Sequence, residues 1–115
     1  ERNFGGNTRN IVFDFTDLDN PQFHMNYFGP TTAIDHNGYV NGDTFYLANY
    51  SAGVRVIDVS NIGGQAMSEI GYFDTYPTNN AASFNGVWNV YPYFASENII
   101  VSDINSGFYI IRKSQ

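Results

Sequence analysis

This 115-residue chain has two histidines, 11 carboxylates and no cysteine with which to do chemistry. The most polar stretch inside an otherwise apolar segment is Asp35-His36-Asn37. An imidazole beside a carboxylate is the pairing used for general acid–base work and for metal ligation. The plainer role for the same residues is structural, with the imidazole hydrogen-bonded to backbone at a strand end. His24, the second imidazole, falls on a different expected strand, and the spacing does not support a zinc site of His and carboxylate ligands.

Asp17, Asp19 and Asn20 offer hard oxygens in the manner of a calcium loop, but the Gly and bidentate Glu of an EF-hand loop are missing. A turn ahead of Pro21, held by Asx side-chain hydrogen bonds, is the plainer reading. Asp58, Asp74 and Asp103 recur near strand ends and divide in the same way between calcium ligands and turn caps. No cofactor is expected, with calcium at Asp17 and Asp19 as the one alternative. Trp88, Tyr91, Tyr93 and Phe94 cluster beside Pro92. Exposed, such rings bind sugars or peptide chains, and buried, they are core or packing between repeats, which is the plainer expectation. The ligand-binding candidates are thus Asp35, His36, Asn37, Trp88, Tyr91 and Tyr93. No serine sits in a Gly-x-Ser-x-Gly turn, and Gly63-Gly64 is not followed by the Gly-Lys-Ser/Thr of a phosphate loop. No catalytic residue is expected, and the chain reads as a non-enzyme.

The elements that position these residues follow from composition. Hydrophobic residues make up 43% of the chain and aromatic residues 17%, which is ample for a packed core. Charged residues are 14%, against about 25% in a typical domain. Phe, Tyr and β-branched residues favour strands, with Gly and Asn as punctuation. The net charge of −6, with Arg2, Arg9, Arg55, Arg112 and Lys113 scattered, excludes a nucleic-acid partner. No apolar run approaches the ~20 residues of a membrane span, and no secretory leader pattern opens the chain. Low charge and Tyr/Asn/Gly-rich strands fit a bacterial protein exported to the cell surface or medium.

Asp43–Ser60 superposes on Glu97–Ser114 without a gap at an offset of 54 residues. Both read acidic start, apolar run, polar turn with Gly, apolar run, Ser. Asn10–Thr16 resembles Val54–Ser60 at an offset of 44. Each copy predicts a hairpin: Phe45–Asn49 with Val54–Val59, and Ile99–Asp103 with Phe108–Arg112. Phe23–Phe28 and Glu69–Phe73 are expected to follow as outer strands, with Tyr27-Phe28 matching Tyr72-Phe73. Ala33–Val40 and Phe84–Val90 are expected to precede as inner strands, and residues 1–10 to form a leading loop.

Four short strands in 44 to 54 residues is the unit of a β-propeller blade. Runs such as Ile99-Ile-Val101 are apolar on both faces, as in a sheet covered twice. The expected fold is all-β, an incomplete β-propeller of a little over two four-stranded antiparallel blades in residues 11–115, with a small β-sandwich as the alternative. On this reading the chain is the C-terminal part of a longer protein, and its first partners are the remaining blades or a second fragment.

The copies resemble LVIVD-type propeller repeats, in which an apolar strand ends in Asp-Val/Ile-Ser and a turn precedes a Gly-Tyr-Phe-like strand. Val56-Ile-Asp-Val-Ser60 followed by Ile70-Gly-Tyr-Phe-Asp74 is the clearest copy. More narrowly, residues 11–113 resemble the C-terminal end of choice-of-anchor B family proteins. The resemblance lies in Asp35-His36-Asn37, Asn49-Tyr50, Gly53–Ser60, Gly71–Thr75 and Trp88–Phe94, in that order and spacing. It implies an exported bacterial propeller with no agreed enzymatic activity. The expected function is a non-catalytic binding or scaffold module for a surface protein or glycan. The alternative is an extracellular polysaccharide hydrolase or lyase with its site at the channel mouth near His36.

Overall fold

The computed structural model describes residues 5–114. Among them are nine β-strands, a single 3-10 turn and no α-helix. β1 (Arg9–Asp14) and β2 (Gln22–Phe28) form one antiparallel sheet. β3 (Asn37–Asn41), β4 (Thr44–Ala48), β5 (Val54–Asp58) and β6 (Ser68–Phe73) run as a meander in a second. β7 (Val87–Tyr91), β8 (Ile99–Asp103) and β9 (Gly107–Ile111) make a third. The all-β expectation holds, and only the central sheet has four strands. The strands described do not close into a ring or barrel.

The repeat is a repeat of register. Phe45 pairs with Ile57, Tyr46 with Val56, Leu47 with Arg55 and Ala48 with Val54. Adding 54 to each number gives Ile99 with Ile111, Ile100 with Ile110, Val101 with Tyr109 and Ser102 with Phe108, all observed. The 44-residue offset is equally physical. β6 bulges against β5 between Val56 and Ile57, and β2 bulges against β1 between Val12 and Phe13, the matching place. The matched pair is then Asn26-Tyr27 with Tyr72-Phe73, one residue from the pairing expected, because the loop before β2 differs in length from that before β6.

The faces repeat too. Tyr46, Ala48, Val54 and Val56 of the central sheet pack on Val87, Val90, Ile99 and Val101 of the third, with Tyr109 and Ile111 beside them. The opposite face, with Leu47, Arg55 and Ile57 buried, is turned toward β1 and β2, and Phe45 lines a cleft shared with Asn10–Phe13. The central sheet is covered twice, as its unbroken apolar runs require. In the third sheet, Ile99, Val101, Tyr109 and Ile111 stand where Phe45, Leu47, Arg55 and Ile57 stand in the second. Each sheet thus turns the same face backward along the chain and the same face forward.

Several expected boundaries move. Arg9 and Asn10 belong to β1 rather than to a leading loop, while residues 1–4 of that loop lie outside the described residues. β3 begins at Asn37, not Ala33. β7 begins at Val87, not Phe84, since Gly86 donates its N–H to the Asn105 side chain. That N–H cannot also serve a ladder.

Candidate functional site

β3 and β7 are the free edge strands of their sheets and lie side by side. On β7, Val87 sits opposite Asp103 and Asn89 opposite Ser102, so Trp88 is the extra residue of a β-bulge. A bulge re-aims a side chain. Val87 and Val90 take the core positions and the indole is turned outward, half exposed. It lies over the imidazole of His36, with ring centroids 4.2 Å apart and planes at 39°.

The Trp88 carbonyl accepts a hydrogen bond from His36 Nδ1 at 2.5 Å. A carbonyl only accepts, so the Nδ1 carries the proton and the Nε2 keeps the lone pair of the neutral ring. The His36 amide donates to the Ala48 carbonyl, fixing the residue just ahead of β3. Tyr50 is buried beneath this pair, its ring 5.0 Å from His36 and 5.3 Å from Phe84. Burial pushes its phenol above the ordinary value. Tyr50 adopts φ 33°, a sparsely populated conformation for a bulky residue. The turn holds it there because its carbonyl accepts from both Gly53 and Val87, joining the second sheet to the third.

Asp35 accepts from Asn10 Nδ2 at 2.9 Å and from the side-chain amide of Asn49, tying β1 to the β4–β5 turn. The expected triplet therefore divides its work: Asp35 joins sheets, His36 anchors the indole and Asn37 opens β3. The side-chain oxygens of Asn37, Asn49 and Asn89 are buried without a hydrogen-bond partner. Each costs roughly 1–3 kcal/mol in that state.

A second aromatic group lies along the same two strands. Tyr39 of β3 meets Tyr93 edge-on at 5.9 Å, and Tyr91 of β7 meets Tyr93 at 5.4 Å and Phe94 at 5.1 Å. Tyr93 donates its hydroxyl to the Val40 carbonyl and Asn41 donates to the Pro92 carbonyl, so the rings are held in place. All four are between 36% and 45% exposed, so they are not core among the described residues. The bulge and the Pro92 turn are the cause. The structure brings His36 and Trp88 together, and Tyr91 and Tyr93 together. Tyr39 and Phe84 were not singled out from sequence, and Asn49, Tyr50 and Asn89 entered only within the motifs of the resemblance.

The remaining candidates lie apart. Asp17 accepts from the Asp19 amide at 3.0 Å in the exposed β1–β2 loop, an Asx turn. Among the described residues no group of three or more His, Asp or Glu is placed to hold a metal. His24 on β2 contacts the Ile62 carbonyl through Nε2 at 2.6 Å and accepts at its own carbonyl from Gln65. It clasps the first sheet to the second, away from His36.

The recurring Asp residues are turn caps. Asp14 accepts from the Thr16 hydroxyl and amide, which hold it below the ordinary carboxylate value. Asp58 is held low by the Ser60 amide and hydroxyl in the same way. Asp103 is buried, which pushes its carboxyl up, but hydrogen bonds from Thr75, Ser106 and Asn105 outweigh burial and leave it lowered. No helix is long and apolar enough to cross a membrane among the described residues.

Comparison with family models, curated proteins and solved structures finds no match.

Proposed function

We propose that the three sheets are consecutive blades of a β-propeller, and that the protein is a non-catalytic binding module, secreted or held at a bacterial cell surface, that recognises a glycan chain. The blade reading is supported by the constant direction of stacking at the two repeat offsets. The binding reading is carried by one observation: rings of Trp88, Tyr91, Tyr93 and Tyr39 stand half exposed along the inner edge strands. Flat rings beside amide side chains are the chemistry that stacks on sugar faces and hydrogen-bonds hydroxyls. A protein partner uses rings in the same way and is the competing outcome.

Trp88 is the only tryptophan in the chain, so fluorescence excited selectively at tryptophan reports this surface. Titration with soluble oligosaccharides is expected to shift its emission, and Trp88→Ala to weaken retention on the responding polysaccharide by about tenfold, the loss of a stacked contact of about 1.4 kcal/mol. Silence of Trp88 across oligosaccharides, together with enrichment of a surface protein on immobilised chain, replaces the glycan by a protein.

His36 supports the second reading, a hydrolase or lyase, because its exposed imidazole is held in place through Nδ1 on the Trp88 carbonyl. Unchanged turnover on His36→Ala in protein that keeps its fold removes that reading.

A further inference from the structure

Three Asn-Gly pairs occur in the chain, at residues 37–38, 41–42 and 85–86. In such a pair the main-chain nitrogen can reach the preceding side-chain carbonyl, because glycine has no Cβ to obstruct the approach. The three are alike as sequence, and the fold sets them apart.

At 85–86 the attacking nitrogen is engaged. The Gly86 N–H donates to Asn105 Oδ1 at 2.7 Å, and a Cβ on Gly86 would stand 2.2 Å from the Tyr50 carbonyl oxygen. At 37–38 the pair lies inside the β3–β4 ladder, with Asn37 opposite Ala48 and Gly38 opposite Leu47. The Asn37 side-chain oxygen is buried, and a Cβ on Gly38 would stand 2.5 Å from the Phe45 ring. Asn41-Gly42 differs on each count. Asn41 closes the ladder opposite Thr44, and Gly42, with φ 59°, begins the two-residue turn into β4. Both are exposed, and nothing lies within 4 Å of a Cβ on Gly42. Rotating the peptide between them opens the closing pair at a hairpin tip, where opening is easiest.

We propose that Asn41-Gly42 is a self-modifying site, at which the side-chain amide is lost through a succinimide and its clamp on the third sheet is lost with it. The Gly42 nitrogen attacks Asn41 Cγ, the Cγ–Nδ2 bond breaks, and Nδ2 leaves as ammonia with the proton given up by the Gly42 nitrogen. Water then opens the ring at either carbonyl and leaves an aspartate or isoaspartate at position 41. The only other reactant is water. The nitrogen expelled is the one that donates to the Pro92 carbonyl at 2.9 Å, from the end of β3 to the turn after β7. A carboxylate at the same place only accepts, so that bond cannot re-form. Tyr93 is left to hold the turn through its hydroxyl on the Val40 carbonyl. The inference uses the hairpin tip and not the binding of a sugar, so it stands or falls apart from the glycan reading.

The test follows the 115-residue chain in mildly alkaline buffer by peptide mapping, with chymotryptic cleavage at Tyr39 separating the first two pairs. Asn41 is expected to gain its one-dalton increment about tenfold or more faster than Asn37 and Asn85, a barrier difference of about one hydrogen bond. In urea the three rates are expected to converge, since each asparagine is followed by the same residue. Equal rates in the folded chain, or a lead by Asn37 or Asn85, overturn the assignment. Asn41→Asp then stands in for the product. Hydrogen exchange at the Tyr91, Tyr93 and Phe94 amides is expected to quicken about fivefold, with β5 unchanged. Unchanged exchange at these amides overturns the release of the turn. Faster exchange in β5 as well means loss of the whole fold, which overturns a local release.

Discussion

The central sheet and the third sheet are built from one template, with equal register at a constant offset, yet they are buried differently. Tyr46 and Val56 are 7% and 9% exposed, whereas Ile110, the counterpart of Val56, is 63% exposed and Phe108 is 60%. The central sheet has neighbours on both faces and the third has one. An apolar run in a sequence is therefore a statement about the neighbours a sheet is made to have, and burial follows only where they are present.

Cavity formation gives the strongest way to break this comparison. Ile57→Ala, at a site 1% exposed, is expected to cost about 2–5 kcal/mol, and Ile110→Ala less than ~0.5 kcal/mol, in urea unfolding of the same chain. An Ile110→Ala cost rivalling that of Ile57→Ala means that something covers the third sheet in solution. The glycines sharpen the contrast. Gly107→Ala meets only the left-handed backbone, worth roughly 1–2 kcal/mol. Gly53→Ala adds collision with the Phe73 carbonyl and is expected to lose more, by the same measurement. Equal losses mean that β6 yields freely.

The smallest effect separates Asp103 from its counterpart Asn49. Because the folded-state value of Asp103 is lowered, its carboxylate stabilises the fold above the unfolded value near 3.9. That contribution is lost as pH falls through the folded value. Thermal melts from pH 5 downward are expected to show a steeper decline for the parent chain than for Asp103→Asn. Parallel curves assign the acid sensitivity to Asp14 and Asp58, which are held low as well.

The hairpins were legible because their signals are local. Gly53 and Gly107 mark the turns, and the flanking apolar runs leave one register. The start of β7 was not legible, since the Gly86 N–H is taken by a bond to Asn105, 19 residues on. The exposure of Trp88 was hidden for a third reason. One extra residue in a strand inverts the parity of everything beyond it, and the nearby turn or bulge signal, Asn85-Gly86, does not say which residue is the extra one. The polar triplet at residues 35–37 was found, while the division of labour within it depended on partners 14 to 52 residues away.

The stacking has a direction: the face of the Leu47 and Ile57 type always looks back, and the face of the Ala48 and Val54 type always looks forward. A sheet copied whole and inserted between the second and third would therefore meet a matching surface on each side at once. Growth by duplication needs no redesign of either neighbour, and the number of units is free to change while the interface chemistry stays the same.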